Sequence, residues 1–141
     1  MWVWWSLAIL FILGTSTQAA TFMAIRPAST EPGCPKNIST NDPGVKKAAR
    51  TTVYAYNNMS NDAFLFKDMG IEKAMIQVVK GLKYMLKTKI ARTVCYKRMK
   101  DDLDECDFQK TKPLKQILMC YSEVWKISWL NTENVTVLQC S

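Results

Sequence analysis

The strongest constraint on the fold is a long apolar and lysine-rich segment, residues 71–92, that a single glycine divides. Its first half carries apolar residues at helical spacing: Ile71, Ala74, Met75, Val78, Val79 and Leu82. Its second half alternates apolar residues with lysines, which is typical of a half-buried strand with a basic outer face. Gly81 would destabilise a helix by about 1 kcal/mol relative to alanine, whereas a turn accommodates it. We therefore predict a β-hairpin with residues 77–81 at its exposed tip, and a helix is the alternative for the first half.

The N-terminus has the pattern of a secretory signal peptide. Residues 2–13 are apolar and uncharged, but they are too few to span a bilayer, which needs about 20 residues. Small residues near Ala19 suit cleavage. We expect a signal peptide over residues 1–20, a flexible arm over residues 21–32 and a secreted domain, with no membrane span, over residues 33–141. A signal anchor is the alternative, because no Lys or Arg precedes the apolar run.

One amphipathic helix is predicted after the arm. Residues 21–40 are rich in Pro, Ser, Thr and Gly, and they predict neither helix nor strand. Asn41 or Asp42 can cap a helix that starts at Pro43, and the polar residues 57–62 predict its end. The expected apolar face recurs at helical spacing: Val45, Ala48, Ala49, Thr52, Val53 and Tyr56.

Shorter apolar runs predict the remainder of a sheet at residues 64–66, 115–125 and 134–140. Between the last two runs, residues 126–131 predict a turn that carries Trp129. The acidic stretch within residues 97–105 lacks the glycine and the ligand spacing of a calcium-binding loop, so we expect a solvated connection there and no metal site.

The charge and the residue types argue for a binding protein. The chain has a formal net charge of +7 and no histidine. A basic surface favours acidic partners, but no nucleic-acid-binding motif accompanies it, and we expect no nucleic-acid partner. Without histidine the commonest general base and the commonest zinc ligand are missing. No phosphate-binding loop or nucleophile motif is present either, so we expect no enzymatic activity and no cofactor.

Five cysteines in a secreted chain indicate disulfides. Local spacing favours Cys95–Cys106 and Cys120–Cys140, which leaves Cys34 near the N-terminus, and other pairings stay open. Three glycosylation sequons begin at Asn37, Asn58 and Asn134.

Several of these features together match a known family. The segment from Gln77 to Gly81 has the pattern Q-x-V-x-G, Gly33 lies near the start of the expected domain, and Trp129 lies in the second predicted turn. With the four cysteines at residues 95, 106, 120 and 140, the chain from about Gly33 to its end resembles the secreted, two-disulfide cystatins.

The resemblance implies an α+β fold in which one long helix packs across a twisted antiparallel sheet of about five strands. It implies a reversible, tight-binding inhibitor of papain-like cysteine proteases, of the cathepsin L, C and H type. Three segments would form a wedge that covers the protease cleft without offering a cleavable bond. The wedge consists of Gly33, of Gln77, Val78, Val79, Lys80 and Gly81, and of Ser128 and Trp129. The family usually has proline where this chain has Ser128, which we expect to weaken binding slightly.

The resemblance also suggests a second site. Ser60-Asn61-Asp62 matches the loop with which some relatives inhibit legumain, so Asn61 is a candidate for its asparagine-specific pocket, and a glycan on Asn58 would hinder it. Cys34 beside Gly33 is a candidate for a disulfide that links two chains into a homodimer and masks the wedge, with release by reduction in endosomes or lysosomes. The alternatives are a cationic, cathelin-like binding module without protease inhibition and a cytokine-like ligand that uses the helix face.

Overall fold

The computed structural model describes residues 33–99 and 101–141; the expected signal peptide and the arm over residues 21–32 lie outside the described residues. Besides three single-turn 3-10 helices, the described residues form one α-helix and five strands: β1 (Lys36–Asn37), α1 (Pro43–Met59), β2 (Phe64–Val79), β3 (Gly81–Tyr96), β4 (Ile117–Ile127) and β5 (Thr132–Cys140). The strands form one antiparallel sheet in the order β1-β2-β3-β4-β5. The predicted α+β class, with one helix and five strands, is confirmed.

Helix α1 begins as the sequence predicts. The Asp42 side chain caps it, because its Oδ1 accepts hydrogen bonds from the amides of Gly44 and Val45 at 2.9 and 3.3 Å. Pro43 occupies the first turn, where its missing amide proton costs nothing. The buried face contains small and medium side chains, which let the helix lie close to the sheet: Val45, Ala48, Ala49, Thr52, Val53 and Asn57.

The predicted end of the helix is wrong by one turn. The helix continues to Met59, and Ser60 caps its C-terminus. Asn57 stays helical because its side chain exchanges two hydrogen bonds of 2.9 Å with the backbone of Phe66 on β2. This pair satisfies a buried amide and fixes the end of the helix against the start of the hairpin.

The hairpin prediction is confirmed, and the alternative helix over residues 71–82 is wrong. Strands β2 and β3 pair from Phe64 opposite Tyr96 to Val79 opposite Gly81. On β3 the apolar side of the alternation is buried toward the helix, and the lysines lie on the other face. The turn is tighter than predicted, because Lys80 alone separates the two strands.

Part of the expected irregular segment forms an edge strand. Lys36 and Asn37 pair with Ile76 and Met75 of β2, so the chain is already tied to the sheet before the helix begins. The core lies between helix and sheet and includes Val45, Val53, Phe66, Leu86, Ile90 and Val124.

Both disulfides favoured by the spacing are present. Cys95 and Cys106 have a Cα–Cα distance of 5.7 Å, and Cys120 and Cys140 one of 4.1 Å. Within the described ranges no group of His, Cys, Asp and Glu side chains could hold a metal ion. None of the helices in the described part of the chain has the length and apolarity that a bilayer crossing needs.

Candidate functional site

The strand register brings the three segments of the predicted wedge to one end of the sheet. Val79 lies opposite Gly81 at the hairpin turn, and Leu82 lies opposite Lys126 on β4. The bend after β4, residues Ser128–Leu130, therefore lies next to the hairpin tip. Val79 and Trp129 accordingly lie at the same end of the molecule.

The hairpin tip is fixed to the strand that leads into the bend. The indole Nε1–H of Trp125 donates a hydrogen bond of 2.7 Å to the carbonyl oxygen of Lys80. A Cβ atom on Gly81 would lie only 2.4 Å from the carbonyl oxygen of Lys126, and Gly81 has a φ of +94°. Only glycine allows both this conformation and this close approach, so the tip and the bend hold a fixed relative position.

The N-terminal segment reaches the same end through Gln77. Its Nε2 donates a hydrogen bond of 2.7 Å to the carbonyl oxygen of Gly33. Gly33 has a φ of +93°, but no atom lies within 4 Å of the position that a Cβ would occupy. Its lack of a side chain therefore serves the backbone conformation and leaves open space beside the chain.

The predicted wedge residues include exposed apolar side chains on this rigid frame. Val78 and Val79 are 48% and 39% exposed, and Trp129 and Leu130 are 63% and 60% exposed. Leu130 is missing from the sequence-based prediction, although an apolar residue beside a tryptophan in a polar turn is a signal for it. Such a cluster of large exposed apolar groups is typical of a binding surface.

The Asn61 loop lies at the other end of β2. Asn61 is exposed, directly after the helix cap Ser60. Asp62 forms an ion pair with Arg92 and accepts a hydrogen bond from the amide of Phe64. Burial alone would raise the pKa of Asp62, but the bonds from Arg92 and Phe64 and the positive charges of Arg92 and Lys97 outweigh it, so that the pKa lies below the ordinary value.

The remaining predicted positions lie on the surface. Cys34 is exposed and adjoins Gly33, at the same end as the wedge. The three sequon asparagines, Asn37, Asn58 and Asn134, are not buried either.

Comparison with known proteins shows similarity over most of the chain. The model of the cystatin domain matches residues 33–129. Cystatin-F of Mus musculus is 58% identical over 113 residues, which cover 80% of this chain and 78% of that protein. Cystatin-F of Homo sapiens is 56% identical over 110 residues, which cover 78% and 76%. The crystal structure of dimeric human cystatin F superposes with a TM-score of 0.76 at 51% identity, covering 84% of this chain and 95% of that chain.

Proposed function

Because this chain belongs to the cystatin family and is a cysteine protease inhibitor, we propose that it blocks papain-like proteases with the wedge of Gly33, residues 77–81, Ser128 and Trp129. None of the compared proteins supports the alternative of a cathelin-like module. The observation that carries the proposal is the exposure of Val78, Val79 and Trp129 on one rigid edge.

Physical chemistry supports tight binding by such an edge. Burial of exposed apolar side chains in a cleft is favourable, and a tryptophan is a frequent anchor of protein interfaces. The bond between Trp125 and Lys80 and the close packing of Gly81 fix the tip before binding, so little conformational entropy is lost on docking. The family acts by binding and not as enzymes, and this mode of inhibition requires no nucleophile on the inhibitor.

A titration of papain and of cathepsin L tests the wedge. We expect Val79→Glu and Trp129→Glu to raise the inhibition constant at least about 100-fold, because a charge would be buried in the cleft. Val94→Glu is the matched control, since Val94 is 49% exposed on the part of β3 remote from the turn. Inhibition by both wedge variants at the level of the parent protein would rule out the wedge as the inhibitory surface.

The proposed targets are papain-like proteases of the cathepsin L, C and H type, and we also propose legumain as the partner of Asn61. The legumain site is supported by the exposure of Asn61 at the end of the molecule away from the wedge. Loss of legumain inhibition in Asn61→Ala, with papain inhibition retained, is the expected result.

We further propose secretion through residues 1–20, glycosylation at the accessible sequons, an additional endosomal or lysosomal location, and a homodimer linked through Cys34.

The dimer is supported by the exposure of Cys34 beside Gly33 and by the dimeric state of human cystatin F in its crystal structure. Non-reducing electrophoresis should show a dimer after air oxidation and a monomer for Cys34→Ser. Monomer mobility of the parent protein before and after oxidation would contradict it.

A further inference from the structure

We propose that Arg92, together with Asp62 and Lys97, is a brace that positions the Asn61 loop for an asparagine-specific protease. The inference rests on the proposed legumain site and adds its positioning residues, none of which lies in the matched loop motif except Asp62. Side-chain contacts of these residues connect the loop to β3 and to the segment before β4.

Arg92 is the centre of this brace. Its Nε lies 3.2 and 3.1 Å from the two carboxylate oxygens of Asp62, and its Nη2 lies 2.5 Å from Oδ2. Its Nη1 donates to the carbonyl oxygen of Leu114 at 2.6 Å, and Nη2 also donates to Oε1 of Gln116 at 2.7 Å. The guanidinium lies 5.5 Å from the centre of the Phe66 ring. Because four groups restrict its position, Arg92 can hold Asp62 in a fixed place.

Hydrogen bonds from Lys97, just after the end of β3, hold the residues on both sides of Asn61. The Lys97 ammonium donates to the carbonyl oxygen of Ser60, and the Lys97 amide donates to the carbonyl oxygen of Ala63 at 2.8 Å. Within the loop, the amide of Asp62 donates to Oγ of Ser60 at 3.0 Å. The backbone before and after Asn61 is thus fixed by hydrogen bonds to Arg92 and Lys97 or within the loop.

The side chain of Asn61 is accessible to a binding partner. It is exposed, and its side chain forms no hydrogen bond with any other residue in the described part of the chain. By contrast, the side chains of Arg92 and Asp62 are only 15% and 19% exposed. An exposed asparagine between two restrained neighbours is prearranged for a pocket that recognises this side chain, and a fixed loop loses less entropy on binding than a mobile one. The fixed flanks should also keep the loop from adapting to the protease as an ordinary substrate does.

The charges around Asp62 keep the brace intact in acid. Arg92 and Lys97 face the carboxylate, and the amide of Phe64 donates to it, so that its pKa is lowered. The restrained loop is therefore retained at the mildly acidic pH at which lysosomal proteases work.

One pair of assays on the same protein separates the brace from the fold. All variants carry Asn58→Gln, so that no glycan covers the loop. Legumain and papain inhibition are measured in parallel, and cleavage after Asn61 is followed by mass spectrometry. We expect Arg92→Gln and Asp62→Asn to raise the legumain inhibition constant about tenfold or more and to speed cleavage after Asn61, with papain inhibition unchanged. Asn61→Ala should lose legumain inhibition entirely.

Arg50→Gln is the matched control. Arg50 is also a half-buried arginine in ion pairs, but its partners Asp68 and Asp104 lie outside the loop, so both activities should stay unchanged. Parent-like legumain inhibition and cleavage in Arg92→Gln, alongside lost inhibition in Asn61→Ala, would overturn the brace and leave the site standing. Retained inhibition in Asn61→Ala would remove the site itself. A loss of papain inhibition in Arg92→Gln would indicate a defect of the whole fold. The result for Asp62→Asn then tests the brace, because its amide oxygen can still accept a hydrogen bond from the Phe64 amide.

Discussion

Single residues of the proposed wedge differ in what they contact. Gln77 belongs to the motif that identifies the hairpin, yet its side chain donates to the carbonyl oxygen of Gly33 within the same molecule. Its contribution to inhibition should therefore pass through the N-terminal segment, whereas the side chains of Val79 and Trp129 are exposed and are the ones proposed to contact the protease.

A double-mutant cycle tests this role of Gln77. In the full domain, Gln77→Leu should weaken papain inhibition about five- to tenfold, the equivalent of roughly 1 kcal/mol for one lost hydrogen bond. In a chain that starts after Cys34, the same substitution should have almost no effect, because Gly33 is absent. Equal losses in both backgrounds would mean that Gln77 contacts the protease directly.

The pH dependence of stability tests the Asp62 ion pair. A carboxylate with a lowered pKa stabilises the fold above its ordinary pKa of 3.8, and this contribution disappears as the pH falls through the lowered value. Asp62→Asn should reduce the free energy of unfolding by about 1–2 kcal/mol at pH 7 and equally at pH 5. The difference from the parent protein should shrink only below about pH 3.8. Thermal unfolding curves in this series would contradict the assignment if the difference already declined between pH 7 and 5.

Among the elements, the turn between β2 and β3 depends most on one residue. Gly81→Ala places a methyl group 2.4 Å from the carbonyl oxygen of Lys126 and strains a φ of +94°, which should cost about 1–3 kcal/mol and shift the tip of the wedge. Gly70→Ala is the control, because no atom lies within 4 Å of its Cβ position and its φ is not positive. Chemical denaturation and papain titration should show losses for Gly81→Ala alone. Comparable losses in both variants would show that the turn has no special requirement for glycine.

The same elements show which features local sequence predicts. The alternation on β3, the glycine at residue 81 and the cap at Asp42 are local signals, and they predicted the hairpin and the start of the helix. The predicted end of the helix was wrong. Asn57 belongs to a residue type that favours helix ends, but here its side chain forms hydrogen bonds with the backbone of Phe66 on β2. Strand β1 has only two residues and exists through its pairing with β2.

The features of the candidate site also divide into those that the sequence indicates and those that depend on long-range contacts. The exposed hairpin tip could be predicted from the glycine and the alternation around it, whereas the roles of Gly33 and Trp129 came from the resemblance to the family. The bond from Trp125 to Lys80 joins residues 45 positions apart, and that from Arg92 to Asp62 joins residues 30 positions apart. No local pattern indicates such contacts, because the sheet register and the loop packing create them.

At the scale of the whole molecule, the two proposed sites lie at opposite ends of one rigid ribbon. β2 contains 16 residues, and at about 3.3 Å per residue it separates the Asn61 loop from the wedge by on the order of 50 Å. Each protease needs only about 800 Å² of the inhibitor surface. We therefore expect one inhibitor to bind papain and legumain together.

Size-exclusion chromatography with light scattering should show a complex of one inhibitor with both proteases. Each inhibition constant should stay within about twofold when the other protease is bound, because contacts this far apart act independently. Asn61→Ala should lose only legumain from the complex, and Trp129→Glu only papain. Displacement of papain by legumain from the parent protein would mean that the two proteases share a surface, and the Asn61 loop would then not be the legumain site.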